Sequence, residues 1–191
     1  DALIDDMEKL DWPEDTKLAQ KNWIGISVGF GISIGIFNTD PIKIFTTRPD
    51  TIYGVTYIVL SPEHPLINSL ISVGGLSKSN SEKVQQYINN AKNKSELERM
   101  RDGREKTGVE LEGVKAIHPL SGDELPIWVS DYVLGSYGTG AIMAVPAYDE
   151  RDREFAENFN LPIRNAPLQD FQKVVNLLKK KNIGGEMTSY R

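Results

Sequence analysis

Cysteine is absent from the 191 residues, which excludes disulfides and any zinc site built on thiolates. Histidine occurs only at His64 and His118, too far apart in sequence to suggest a His-rich metal centre, so no metal and no cofactor are expected. No apolar run approaches the roughly 18 residues of a spanning helix, and the acidic start around Asp5, Asp6 and Glu8 is unlike a leader sequence. A soluble, cytoplasmic chain with no membrane contact is therefore expected. An excess of basic charge is missing too. Acidic residues outnumber basic ones 27 to 22, for a net charge of −5, so there is no sign of the broad phosphate-neutralising surface of a duplex binder. Any contact with nucleic acid must be local.

What is present is enough apolar material, 39% of the chain, to bury the core of one domain. Residues 1–22 are polar with scattered apolar positions before Pro13, and read as a short helix and a linker or hinge segment. The domain itself is expected over 23–187, with 188–191 as a return linker. From Ile24 to Ile36 apolar residues alternate with Gly and Ser, a period-2 strand signal; the glycines suggest two strands broken near Gly29 to Gly31. Lys43 to Thr47 and Val55 to Leu60 read as further strands, as do Val114–Ile117, Pro126–Tyr132 and Ala141–Val145. Val84, Tyr87, Ile88 and Ala91 fall at helical spacing behind Asn80-Ser81-Glu82. Two more helices are predicted over about 149–159 and 168–181, and the charged stretch from Lys92 to Thr107 reads as a solvated face or loop. Strands with interspersed helices and no βαβ rhythm indicate an α+β fold built on a closed or nearly closed β-barrel.

Two segments are dense in chemistry. Thr46-Thr47-Arg48-Pro49-Asp50-Thr51 ends a strand with three hydroxyls, a guanidinium and a carboxylate, although threonines also suit strands and Pro-Asp suits a turn. Tyr137-Gly138-Thr139-Gly140 leads through Ala141 to Pro146 into Asp149-Glu150-Arg151-Asp152; glycines permit close backbone approach, and the acidic residues suit a helix start. Asp152 stands apart. It precedes Phe155 by three residues and Phe159 by seven, so helical spacing puts it on the inward face, where a carboxylate needs a partner: a structural Arg or a ligand's ammonium group. No Ser-His-Asp or Cys-His arrangement is visible, which argues against a covalent acyl intermediate.

These two segments resemble the threonine-rich and GTG motifs of leucyl-tRNA synthetase editing domains. The resemblance extends through Lys21-Asn22-Trp23-Ile24-Gly25, Ser61-Pro62-Glu63-His64-Pro65-Leu66, Lys94 to Met100 and Lys106-Thr107-Gly108. It implies a β-barrel-like domain with peripheral helices, inserted in a parent synthetase, that hydrolyses mischarged tRNA(Leu) at the 3′ end of the tRNA. The isolated domain is expected to be monomeric. By the same resemblance, Asp152 holds the substrate α-ammonium, Met143 and Val145 line the pocket, and Thr46 and Thr47 bind substrate and position water. Arg48 and Tyr137 lie near the adenosine, and Thr51 crowds out leucine. The family's usual His-Asp pair is Tyr148-Asp149 here, and the Arg that commonly follows Trp-Ile-Gly is Ile26. Tyr148 leaves open a second reading, a domain that binds the tRNA end or stabilises its parent without chemistry.

Overall fold

The computed structural model describes residues 6, 9–17, 25, 27–37, 39–99, 101 and 104–189. Ile24 and Ile26, with most of the expected linker at 1–22, lie outside the described residues. Seven strands form one sheet: β1 (Ser27–Ile36), β2 (Thr39–Thr46), β3 (Tyr57–Leu60), β4 (Val109–Ile117), β5 (Glu124–Val129), β6 (Ala141–Ala144) and β7 (Gly184–Ser189). Helices α1 (Pro65–Ser72), α2 (Lys78–Lys92), α3 (Glu96–Arg99), α4 (Glu150–Asn158) and α5 (Phe171–Lys180) accompany it. A 3₁₀ segment, Pro49–Gly54, joins β2 to β3. Among the described residues no helix is long and apolar enough to cross a membrane.

Hydrogen bonding runs β2-β1-β4-β5-β3-β6, with β7 on the other edge of β1. All pairings are antiparallel except β3 with β5. The two ends of this path, β2 and β6, pack against each other without a hydrogen-bonded ladder among the described residues. The α+β architecture is as expected, but the sheet curls without closing into a barrel.

The expected break in the first strand is not there. β1 is continuous from Ser27 to Ile36, and Phe30, Ile32, Ile34 and Ile36 are buried on one face. Its glycines serve close approach: a methyl group on Gly29 would lie 2.5 Å from the Thr46 carbonyl oxygen and 2.7 Å from the Phe45 ring, so Gly is what lets β2 draw near. β7 also corrects the expected boundary. Thr188 and Ser189, assigned to a return linker, pair with Val28 and Ser27 and belong to the sheet. α1, begun by Pro65 with the His64 ring accepting from Leu66 N–H, was not anticipated.

β3 is buried at every position because both its faces are covered, which is why it reads as an unbroken apolar run instead of an alternation. Ile58 and Leu60 join the main core with residues of α1, α2 and α5. Tyr57 and Val59 face a second cluster with Trp128, Phe155 and Ala156. Phe155 stacks on Tyr57 at 5.5 Å and meets Trp128 edge-on at 5.4 Å. Burial of that one ring contributes about 1.5–3 kcal/mol, and it fixes α4, the helix that carries Asp152, against the sheet.

The charged stretch from Lys92 to Thr107 is more than a solvated face. Arg99 is buried, donating to Glu63 Oε1 at 2.7 Å and to the carbonyls of Asp131 and Val133 at 2.9 and 2.8 Å. Lys94 and Arg104 both pair with the buried carboxylate of Asp131. These bonds tie the segment to the loop that follows β5, on the way to the site.

Candidate active site

A cavity of about 340 Å³ opens where β2 and β6 face each other, and its wall contains all ten of the sequence-predicted site residues. Thr46, Thr47, Arg48 and Thr51 come from the end of β2 and the turn into the 3₁₀ segment; Met143 and Val145 come from β6 and its end; Tyr148, Asp149 and Asp152 come from the start of α4; Tyr137 comes from the loop before β6. Segments about ninety residues apart in sequence meet here because β2 and β6 are the two ends of the sheet. The volume suits a small ligand group.

The threonine-rich turn organises itself. Thr46 Oγ1 accepts from Arg48 N–H at 3.0 Å, and Thr51 Oγ1 donates to the Arg48 carbonyl at 2.8 Å. Arg48 donates through Nε and Nη2 to the two oxygens of Asp50, 3.0 and 2.8 Å away. This bidentate pair sets the guanidinium's orientation while leaving its side chain half exposed. Thr51 thus caps the turn and also lines the cavity.

On the facing wall, Gly138 has φ of 64°, which L side chains rarely adopt. A methyl group there would sit 2.8 Å from Phe45 Cβ. Gly138 N–H donates to Ser189 Oγ at 2.7 Å, and Phe45 meets the Tyr137 ring edge-on at 5.6 Å. The GTG loop is therefore clamped between β2 and the end of β7, and it holds Tyr137 at the cavity.

Helix α4 starts where Asp149 caps it, its Oδ1 accepting from Arg151 and Asp152 N–H at 2.9 and 3.2 Å. Burial works against ionisation of Asp149, but the Arg151 guanidinium and these backbone bonds together hold its carboxyl below the usual range. Asp152 occupies the third helical position, from which an acidic side chain commonly reaches back to the cap residue. The Asp149 N–H is already bonded to the Val145 carbonyl at 3.0 Å, so the Asp152 carboxylate turns to Val145 itself. Its Oδ2 accepts from Val145 N–H at 2.8 Å, and its Oδ1 accepts from the Tyr132 hydroxyl at 2.9 Å.

Asp152 is only 3% exposed, with no cationic side chain bonded to it among the described residues. Burial first, and the neighbouring Asp149 charge second, push its carboxyl up to about 7, against the pull of Val145 N–H, Tyr132 and Arg151. A carboxylate has about four lone-pair sites, and two are used by the protein. The arrangement suits a cationic ligand group, which would supply the charge that this carboxylate lacks.

Tyr148 is 40% exposed, and its hydroxyl donates to the Ala166 carbonyl. Its ring lies over Gly54, where a methyl group would come within 3.2 Å of it. The connector between α4 and α5 is further tied down by Arg164 to Asp123 at 3.0 Å and by Gln169 N–H to the Asp50 carbonyl at 3.1 Å. Tyr132, Phe45 and Ile142 also line the cavity and were not anticipated as site residues. Tyr132 follows an apolar strand, and nothing in its local sequence signals that its hydroxyl meets Asp152. The two histidines serve backbone groups, His118 accepting from Leu120 and Ser121 N–H through Nδ1.

The sequence pattern of the leucyl-tRNA synthetase editing domain matches residues 21–183. The chain belongs to that family. Among solved structures, it is similar to the leucyl-tRNA synthetase of Agrobacterium radiobacter K84 in a ternary complex with tRNA and LeuAMS, with a TM-score of 0.80 and 31% identity. The match covers 99% of this chain and 23% of that one, so this editing domain corresponds to under a quarter of the synthetase it resembles.

Proposed function

We propose that this editing domain hydrolyses the ester joining a non-cognate amino acid, such as isoleucine, norvaline or methionine, to the terminal adenosine of tRNA(Leu), as part of a larger leucyl-tRNA synthetase. The observation that carries this reading is that the buried Asp152 carboxylate and the Thr46–Arg48 turn line one ligand-sized cavity. Asp152 takes the α-ammonium, Met143 and Val145 contact the side chain, and Arg48 and Tyr137 flank the adenosine. Thr46 and Thr47 position the water. That water attacks the ester carbonyl carbon and the bond to the ribose oxygen breaks; the ribose oxygen takes one of the water's protons and leaves as the hydroxyl, the amino acid departs as its carboxylate, and the second proton is released to solvent.

No nucleophilic side chain and no cofactor are required for this step, and positioning carries most of the rate. Editing of this kind is needed because a hydrophobic synthetic pocket separates near-isosteric side chains by only ~1–3 kcal/mol. Tyr148 in place of histidine removes no essential base from such a mechanism, since its role here is a hydrogen bond to the backbone. The partners are the 3′ end of tRNA(Leu) and the remainder of the synthetase. Deacylation of isoleucyl-, norvalyl- and methionyl-tRNA(Leu) by the full-length parent enzyme tests the proposal: hydrolysis well above the spontaneous rate is expected. Ester lifetimes unchanged by enzyme would leave a domain that binds the tRNA end without chemistry.

A further inference from the structure

We propose that Tyr132 is a positioning residue for the editing reaction, its hydroxyl holding the Asp152 carboxylate in the orientation and charge state that receive the substrate α-ammonium. This inference rests on the functional reading above. Tyr132 donates to Asp152 Oδ1 at 2.9 Å while Val145 N–H takes Oδ2 at 2.8 Å. The carboxylate is thereby gripped at both oxygens by donors from two different parts of the fold, the loop after β5 and the end of β6. One donor alone would leave its plane free to turn about the Cβ–Cγ bond. With both, the remaining lone pairs have a set direction.

The surroundings give the Tyr132 hydroxyl particular weight. Arg151 and Asp149 flank Asp152 from its own helix with opposite charges, and they pair with each other at 3.2 Å. From β3, Tyr57 donates to the backbone carbonyl of Asp152 at 2.7 Å and interacts with the Tyr132 hydroxyl. Tyr57 therefore fixes the helix turn, whereas Tyr132 is the one side chain that donates to the carboxylate among the described residues. The Tyr132 ring packs 5.6 Å from Phe155, so removing the hydroxyl alone leaves the aromatic cluster in place.

The test compares wild type with Tyr132→Phe by two readouts. In this chain, labelled aspartate carboxyl carbons are titrated by NMR, the Asp152 signal being the one lost in Asp152→Asn. Loss of one charge-assisted hydrogen bond is expected to raise the Asp152 midpoint by about one to two pH units. In the full-length synthetase, the pH profile of kcat/KM for isoleucyl-tRNA(Leu) deacylation, corrected for spontaneous hydrolysis, is expected to move alkaline by the same amount. The deficit is then about tenfold near neutrality and narrows as pH rises towards about 8, where the substrate ammonium itself begins to deprotonate. A folded Tyr132→Phe with an unmoved midpoint, or with wild-type activity at every pH, overturns the proposal. Difluorotyrosine at position 132, a stronger donor with the same shape, is expected to lower the midpoint, and an unmoved or raised midpoint also overturns it. If the wild-type synthetase hydrolyses nothing, the functional reading fails on its own, and the NMR midpoint still decides what Tyr132 does to Asp152.

Discussion

Replacing Asp152 by asparagine separates its charge from its hydrogen bonds. Alanine would remove both at once: at 3% exposure it would strand the Val145 N–H and the Tyr132 hydroxyl, each at about 1–3 kcal/mol, and a loss of activity would be confounded with a loss of structure. Asparagine keeps the shape. Its carbonyl oxygen accepts from Val145 N–H, and its amide donates to the Tyr132 oxygen. What disappears is the negative charge that would meet an ammonium group, a contact of about 1.5–3 kcal/mol, or roughly 10- to 150-fold in kcat/KM. The assay is deacylation of isoleucyl-tRNA(Leu) by the full-length enzyme. A folded Asp152→Asn enzyme with near-wild-type kcat/KM would remove Asp152 from substrate binding.

The same substitution makes a stability prediction of definite sign. Asp152 titrates near 7 in the fold against an ordinary value of 3.8, so between those values the native state holds a proton that the unfolded chain has released. Stability from this group is fully present below about pH 3.8 and is lost as pH rises towards 7, amounting to at most roughly 4 kcal/mol. Without ligand, Asp152→Asn should therefore match the wild type in melting temperature at low pH and exceed it above neutrality. Parallel melting curves across pH 4–8 would show that burial of this charge costs the fold nothing.

Other perturbations probe the rest of the wall. Thr51→Ala removes the hydroxyl that donates to the Arg48 carbonyl, costing about 1 kcal/mol, and by opening space in the cavity it should expose leucyl-tRNA(Leu) to hydrolysis; continued resistance of the leucyl ester would make Thr51 a turn cap only. Tyr148→Phe frees the Ala166 carbonyl and should lower deacylation modestly, by roughly two- to tenfold, while Tyr148→His should leave it equal or faster; a silent wild type rescued by Tyr148→His would reverse the role given to Tyr148. His118 is held neutral, its pKa lowered by burial, so the fold should lose stability as pH falls below about 6.5, and His118→Gln should flatten that part of the melting curve.

The parts of the site legible in the sequence were those whose signals are local. Thr46 to Thr51 and Gly138 to Asp152 announce themselves by residue type within short windows, and the inward position of Asp152 follows from three- and seven-residue spacing to Phe155 and Phe159. What could not be read depends on neighbours distant along the chain. Gly29 resembles a strand break until the Phe45 ring and Thr46 carbonyl are beside it. β7, with Gly184-Gly185 and a polar sequence, has little strand character of its own; it is held by six register positions against β1, a case of tertiary pairing overriding propensity. Tyr132 and Arg99 each look like ordinary members of their segments, and only the fold brings the one to Asp152 and the other to Glu63.

The unclosed sheet explains why the site is where it is. Had β2 and β6 joined by a ladder, their backbones would stand about 4.8 Å apart, and nothing larger than side chains would fit between them at that seam. Instead the strands pack without pairing, and their C-terminal ends lead into the two chemically dense turns, one running to Arg48 and one to Asp149. Gly138 and Gly29 bring backbone close to Phe45, and the Tyr148 ring lies over Gly54 of the 3₁₀ segment; Phe45 and Tyr148 both line the cavity. The cavity is thus the space left by the missing ladder. Its polar groups include the turn hydroxyls and the Asp152 carboxylate, held by hydrogen bonds to their own surroundings, so a ligand entering the seam would meet a frame that is already set.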